Sequence, residues 1–316
     1  MIRCVSYNCN SVRNNSEAVK LLLDVNDIVL LQEIMLCKSD LPFLDLLDKN
    51  FDNIACVSDR EADGIIEGRP VKGVAIFWRK SLSCKITPIN VDDSVIGIRI
   101  SNGTDDVIIF NVYLPCDKQT VEAMCEYRCS LGKLHGLITE QDVNKVIITG
   151  DFNADPSKGR FWKELLSFKD NLSFLIPSEQ LPQDTFTYLC PAKNTTSWLD
   201  HILCSKTVAA SILKIHVDYE AAIYDHFPVH FDLKFDYNCL PEERVYPFMK
   251  FVDWGRISES DKKDIKSLMD KIIDEDDLLS TNAFSCRSIK CRDPCHLREI
   301  DKKFSSIKEI LTSILY

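Results

Sequence analysis

Asp151 and Asn153 stand two positions apart in ITGDFNADP, residues 147–155, where an apolar run gives way to a turn. A carboxylate and an amide projecting together from the end of a buried strand suit hydrolysis of a phosphate ester. The acid takes a proton from the attacking water, and the amide donates to a phosphoryl oxygen. Similar polar groups close three other apolar runs: Asn8 and Asn10 in SYNCN, Gln32 and Glu33 in LLQE, and Asp200, His201, Asp225 and His226 in the pair SWLDH and YDHFPV. Each has an ordinary structural explanation by itself. Asn8 can cap a turn, Glu33 can cap a helix or face solvent, and His226 can be a satisfied core histidine. Together they are costly to bury, because several carboxylates in one domain need a neutralising charge, and a hard cation supplies it. In that chemistry Glu33 holds Mg2+, with Mn2+ as the substitute, and Asp225 belongs to the same metal surroundings. Asp151 orients and deprotonates water, and Asn153 donates to the phosphoryl group. His226 offsets the charge developing on phosphorus while Asp200 fixes its ring.

The elements that must hold these groups are mostly strands. IRCVSYN, DIVLLQE, GVAIFWR, VIGIRIS, DVIIFNVYL, KVIITGD, LDHILC and PVHFDLKF are rich in Val and Ile, and several are continuously apolar, as strands covered on both faces are. Helical spacing is visible in SEAVKLLLDV and from Thr120 to Glu140, where Val121, Met124, Cys125, Arg128, Leu131 and Leu134 recur. Many strands and few helices predict a mixed α/β (α+β) fold, two packed and mostly antiparallel sheets with helices outside. Residues 1–236 read as one domain and 237–250 as a Pro-containing linker. Residues 251–316 read as a helical tail with two apolar stripes, one of Ile265, Leu268, Met269, Ile272 and Ile273, the other of Ile300, Phe304, Ile307, Leu311 and Ile314.

Bulk properties narrow the function classes. With 316 residues and 45% hydrophobic content the chain is neither disordered nor fibrous. No leader-like segment and no run of about 18 apolar residues is present, so the expected location is intracellular, in nucleus or cytoplasm, without secretion or a membrane partner. The 14 cysteines lie scattered through apolar strands and read as reduced thiols. The formal charge is -10, and residues 250–316 are balanced at 13 Lys+Arg against 13 Asp+Glu, so the acidic excess belongs to the first 249 residues. Such a balance disfavours long-range attraction to nucleic acid. A local basic cluster of Arg60, Arg69, Lys72, Arg79 and Lys80 offsets it around one Gly-containing loop. In the tail, Cys286, Cys291, Cys295 and His296 have the ligand types for Zn2+, but their spacing misses the usual knuckle, and free thiols in a turn are the expectation.

SYNCN, QE, NVYLP, GDFN, SWLDHIL and DHFPV occur in this order over residues 1–235. The set resembles the endonuclease/exonuclease/phosphatase superfamily with its deoxyribonuclease-I-like four-layer sandwich. Within that superfamily it is most similar to the apurinic-type endonuclease domain of non-LTR (LINE-type) retrotransposons. The resemblance implies that Asn8 and Glu33 form the metal site and that Asp151 and Asn153 activate water. It further implies that Tyr113 and Ser197 touch phosphate, that Asp200 partners the histidine, and that Asp225 and His226 are the terminal pair. Asn10, Asn111 of NVYLP and Arg69 of the basic loop are further candidates for substrate contact. Three positions depart from the pattern. Tyr224 replaces a serine before the last Asp-His, Ser11 replaces a glycine after the first motif, and Lys72 replaces the first glycine of a pair.

Double-stranded DNA is then the implied partner, nicked to leave a 3'-hydroxyl that primes reverse transcription. No reverse-transcriptase motif occurs in these residues. The expectation is the amino-terminal piece of a polyprotein, a truncated copy or a host-adopted remnant, and the tail resembles the segment leading to a downstream polymerase. Loops 59–72 and 190–197 are the places for target choice, through DNA shape. Two other readings stay open, a phosphoinositide or other small-phosphodiester hydrolase of the same fold, and a decayed copy acting as a binding module.

Overall fold

The apolar runs become strands because Val, Ile and aromatic side chains pack well on a pleated surface covered on both sides. The computed structural model describes residues 1–57, 61, 62, 65, 66, 72–190, 192–220 and 225–235. The chain divides into two compact units, Met1–Pro247 and Phe248–Tyr316, and all that follows concerns the first. The linker, both tail stripes, the Cys286, Cys291, Cys295 and His296 group, Arg60, Arg69 and Tyr224 lie outside the described residues.

In chain order the elements are β1 (Ile2–Asn8), α1 (Ser16–Val25), β2 (Ile28–Gln32), β3 (Phe51–Cys56), the two-residue strands β4 (Glu61–Ala62) and β5 (Ile65–Ile66), β6 (Val74–Arg79) and β7 (Lys85–Asp92). There follow β8 (Val95–Ser101), β9 (Asp106–Tyr113), α2 (Val121–Thr139), β10 (Val146–Asp151), α3 (Arg160–Asn171) and β11 (Phe174–Leu175). The last are β12 (Tyr188–Cys190), β13 (Thr195–Ser197), β14 (Asp200–Ser205), β15 (Ile212–Val217) and β16 (Val229–Leu233).

Twelve of these strands form two six-stranded sheets, ordered β15-β16-β1-β2-β6-β3 and β11-β14-β10-β9-β8-β7. Both sheets are antiparallel except at one central pair, where β1 runs parallel to β2 and β9 parallel to β10. A parallel pair needs a crossover, and α1 and α2 supply it. Each sheet is therefore built around one strand-helix-strand unit, a regularity that the sequence did not display as an alternation. Between the sheets lies an aliphatic core that includes Leu30, Ile76, Ile98, Ile109 and Ile147. On the outer face of the first sheet α1 buries Val19, Leu22 and Leu23 against Val5, Val29 and Phe77. On the outer face of the second, α2 and α3 bury Tyr127, Leu131, Leu134, Phe161 and Leu165. These are the four layers of the expected sandwich. Among the described residues, no helix is long and apolar enough to cross a membrane.

The buried face of α2 keeps Leu131 and Leu134 of the expected stripe, with Met124 half-buried, and differs in the rest. Ala123, Tyr127, Leu131, Leu134 and Ile138 point inward, whereas Val121, Cys125 and Arg128 are exposed. Thr120 caps the helix through its hydroxyl, which accepts from the Ala123 N–H. Tyr127 anchors the inner face by donating its hydroxyl to the Phe152 carbonyl at 3.0 Å. Arg128 instead reaches outward to Glu164 on α3.

Candidate active site

Parallel neighbours finish at the same edge of a sheet, so the ends of β1, β2, β9 and β10 collect polar side chains at one end of the sandwich. Asn8 pairs in register with Gln32, and Asp151 with Tyr113. The antiparallel strand β14 starts where β10 stops, which sets Asp200 beside Asp151. On the other side of β10, Gly150 lets the strand lie close to β9. Its φ is +145°, and a Cβ there would strike the Val112 carbonyl of the neighbouring strand.

Asn8 joins the two sheets at this point. Its Nδ2 donates to Glu33 Oε1 at 2.9 Å and to Asp151 Oδ2 at 3.0 Å. Its Oδ1 accepts the Asn10 backbone N–H at 3.2 Å, which fixes the amide's orientation. Asn8 is expected at the metal site; as placed, its Nδ2 donates to both carboxylates and so sets their separation. Asn10 serves that arrangement through its backbone. Tyr113 hydrogen-bonds Glu33, and burial, reinforced by the Glu33 and Asp151 charges, pushes its phenol above the ordinary range.

Asp151 is fully buried and accepts the Asn153 N–H on Oδ1 at 2.9 Å. Asn153 donates from Nδ2 to the Leu114 carbonyl at 2.9 Å, which uses one of its two amide hydrogens. On the far side His226 Nδ1 lies 2.9 Å from Asp200 Oδ2, and its Nε2 lies 3.8 Å from Asp151 Oδ2. Burial and the Asp200 charge push Asp151 up to about 7, with His226 and the Asn153 and Asn8 donors pulling the other way. Burial would lower His226, but Asp200 first, then Asp151 and Asp225, reverse this and bring it up to about 9.

Two residues outside the expected set hold this pair. Thr187 is fully buried, and its Oγ1 accepts the N–H groups of Leu199 and Asp200, both at 3.0 Å. Its carbonyl also accepts the Phe227 N–H at 2.8 Å, so a single residue ties the acid segment to the histidine segment. Tyr188 packs its ring 4.9 Å from that of His226. Nothing in DTFTYLC marks either one.

The remaining expected residues divide. Asp225 sits beside His226 with a buried Oδ1 that has no hydrogen-bond partner. Ser197 hydrogen-bonds Asp155 and accepts from Lys158 Nζ at 3.4 Å, one strand away from the Tyr188 contact. Asn111 is not in the cleft. It is fully buried between the sheets, where its Oδ1 accepts from Gln32 Nε2 at 2.6 Å and its Nδ2 donates to the Leu31 and Ala75 carbonyls. An amide so placed is satisfied within the protein and has nothing left to offer substrate. Arg69 lies outside the described residues.

Backbone strain gathers at the same strand ends. Asn10, Ser11, Glu33, Met35, Lys72 and Asn153 all have positive φ, between 41° and 86°. Ser11 and Lys72 are two of the positions where the resemblance leads one to expect glycine, and the chain keeps the glycine-like backbone there without the glycine. Ser11→Gly is therefore expected to raise stability by up to about 1 kcal/mol, the relieved strain exceeding the added flexibility of the unfolded chain. A chemical-denaturation midpoint at or below the parent's would contradict this.

The donor set fits a hard divalent cation. Asp200 Oδ1 and Asp225 Oδ1 are buried without hydrogen-bond partners, and ligand atoms of Asp151, Asp200 and His226 lie within 4.8 Å of one another. Within that trio His226 and Asp200 already satisfy each other through Nδ1. Asp151 and Glu33 already accept from Asn153, Asn8 and Tyr113, and Asp225, the other acid expected at the metal, keeps an unpartnered oxygen beside His226.

Comparison with known proteins agrees with this geometry. The model of the Endonuclease/Exonuclease/phosphatase family matches residues 5–232. No curated protein matches the chain in sequence. Among solved structures, the chain is similar to the endonuclease domain of TRAS1, a telomere-specific non-LTR retrotransposon, at 16% identity and a TM-score of 0.56, covering 74% of this chain and 98% of that one. It is similar to an AP endonuclease from Archaeoglobus fulgidus at 16% identity and a TM-score of 0.58, with 74% and 100% covered. The 3'-5' exonuclease NExo from Neisseria meningitidis gives 19%, 0.55, 74% and 100%. With the family pattern running through both sheets, and with acid, amide and imidazole meeting where their strands end, the chain belongs to the Endonuclease/Exonuclease/phosphatase family of phosphoester hydrolases.

Proposed function

We propose that this protein is a Mg2+-dependent endonuclease that nicks double-stranded DNA and leaves a 3'-hydroxyl able to prime reverse transcription in a retroelement. The observation that carries the reading is the position of Asp151. It is a buried carboxylate pushed up to about 7, held by Asn8 and the Asn153 N–H on one side and faced by the His226–Asp200 pair on the other. A base with its pKa near neutrality takes a proton from water most effectively, and a protonated imidazole opposite it offsets charge gathering on a phosphoryl oxygen. The second Asn153 amide hydrogen is the donor that orients the phosphate, and Tyr113, through its hydrogen bond to Glu33, positions the carboxylate opposite it. Glu33 would hold the cation, which when bound neutralises the phosphodiester and supports the leaving oxygen. Likeness to a retrotransposon endonuclease domain and to an AP endonuclease supports DNA as the substrate. With a formal charge of -10, the chain needs a cation and local lysines such as Lys158 to receive a phosphate backbone.

The test is the purified full chain on supercoiled plasmid with Mg2+, run beside inositol phosphates and with EDTA added to a matched sample. Open-circle product that disappears with EDTA and returns with excess Mg2+ is expected. Hydrolysis of inositol phosphates with intact plasmid would replace this reading by a headgroup phosphatase.

A further inference from the structure

Ser197 on β13 is expected to touch phosphate, yet its hydroxyl already has a partner. Asp155, two residues beyond Asn153, is a buried carboxylate. Its Oδ1 accepts the Ser157 N–H at 2.8 Å and the Ser157 hydroxyl at 2.7 Å, and Ser197 hydrogen-bonds it as well. Burial would raise Asp155, but the Ser157 donors, Ser197 and then Lys158 outweigh it and hold the carboxyl below its ordinary range. An ionised carboxylate only accepts, so the single hydrogen of the Ser197 hydroxyl is spent on Asp155 and none remains for a phosphate. Lys158 Nζ closes the same junction, donating to the Thr196 carbonyl at 3.0 Å and to Ser197 Oγ at 3.4 Å.

From Ser197 the bonds continue inward. Its carbonyl accepts the Thr187 N–H at 3.0 Å. Thr187 in turn reaches both halves of the acid-imidazole pair, with Oγ1 accepting the Asp200 N–H and its carbonyl accepting the N–H of Phe227, the residue after His226. A parallel line of contact starts at Ala154, whose carbonyl lies 2.7 Å from Nε2 of the buried His201; a carbonyl only accepts, so that nitrogen donates. The Trp198 ring stacks on His201 with centroids 5.6 Å apart, and its Nε1 donates to the Asp200 carbonyl at 3.1 Å. The loop that leaves the Asp151–Asn153 turn thus grips the chain on both sides of Asp200.

We propose that Asp155 is a positioning residue for the reaction, which through the Ser197 hydroxyl sets where Asp200 and His226 stand relative to the Asp151–Asn153 turn. The inference rests on the phosphodiesterase reading of the cleft. Its physical basis is that β12 and β13 form a two-stranded sheet of their own, outside both large sheets. Such a ribbon is marginal by itself and needs an anchor. Asp151 and His226 face one phosphate from opposite sides, and a misplacement of about 1 Å between such groups costs as much as 10²-fold in rate.

The experiment takes the full chain as Ser197→Ala, Asp155→Ala, the double variant and Ser197→Thr. Plasmid nicking in Mg2+ is measured beside hydrogen exchange at the Thr187, Asp200 and Phe227 amides. Each alanine variant is expected to lose about ten- to a hundredfold in kcat with little change in KM. The double variant should lose no more than the worse single one, because both remove the same bond. Ser197→Thr keeps the hydroxyl and should recover kcat. The three amides should exchange faster in Ser197→Ala than in the parent, while those of β1 and β2 do not change. A raised KM with unmoved amides in Ser197→Ala would make the serine a phosphate contact and overturn the proposal, and so would losses that add in the double variant. Should Asp155→Ala fail to fold, the two variants at position 197 decide by themselves. Exchange does not depend on activity: a parent that leaves plasmid intact would sink the nuclease reading, whereas unmoved amides would sink the role of Asp155.

Discussion

Asp151→Asn is expected to lower the rate of plasmid nicking by roughly 10²- to 10⁴-fold, the range lost when a positioned proton acceptor is removed. The change is nearly isosteric, so size is conserved and charge is not. Folding should not suffer from it, for a reason that sets the sign of a second measurement. A carboxyl raised in the folded state binds its proton more tightly there than in the unfolded chain. Its contribution is fully present below the unfolded value and is lost as pH rises through about 7. Metal-free protein at pH 8 therefore carries an ionised, buried Asp151 as a liability, and Asn removes it. In EDTA at that pH the variant should melt no lower than the parent. A lost rate with a retained melt locates the defect in chemistry. Full activity in the variant would mean that the nicking came from a contaminant.

His226→Ala is the other large effect, again roughly 10²- to 10⁴-fold on the rate. It also has a signature in pH. The histidine is raised to about 9 by the carboxylates around it, so it is charged through the neutral range and loses its proton as pH climbs through that value. The parent's rate should fall there, and the alanine variant's low residual rate should not. Stability follows the same sign. A raised histidine contributes fully below the unfolded value and ceases to contribute above about 9. Asp200→Asn, which takes away the main charge supporting His226, should move the fall in rate to lower pH. If the parent and Asp200→Asn share one profile up to pH 10, the imidazole has no acid role in the reaction.

Most of the site was legible because its residues occupy strand ends, and strand ends announce themselves as apolar runs stopping at Asn, Gln-Glu or Asp. Once the runs were in place, the convergence of Glu33, Asp151, Asp200 and His226 followed from topology. The failures have a common physical origin, in that partners distant in sequence decide what a local pattern means. NVYLP gives no sign that Asn111 turns inward, because the acceptors that hold it, Leu31 and Ala75, lie in the other sheet. The orientation of Asn8 depends on a backbone N–H two residues on, which SYNCN does not display. The α2 stripe holds at Met124, Leu131 and Leu134 and fails at Val121, Cys125 and Arg128, since Val121 and Cys125 are apolar enough to be counted while Tyr127, the residue that anchors the helix, carries a polar tip. Helix α3 passed unnoticed. Its buried residues Phe161, Leu165 and Phe168 are separated by Lys, Glu, Ser and other residues that mask a three-turn stripe. Thr187 and Tyr188 act through backbone geometry and ring contact, for which no short motif exists.

The bridge of Gln32 and Asn111, which the Ser6 hydroxyl joins at 3.1 Å, sits beside a mainly aliphatic core, one residue from Glu33 and two from Tyr113. Greasy surfaces can slide over one another with little loss, but a 2.6 Å bond between amides has a single good length. The chain thus carries a locating pin beneath its reaction centre. The two halves of the machinery, one borne by each sheet, are indexed by a pair of amides that never meet the substrate, and wear at that pin would leave an intact body with its tools out of alignment.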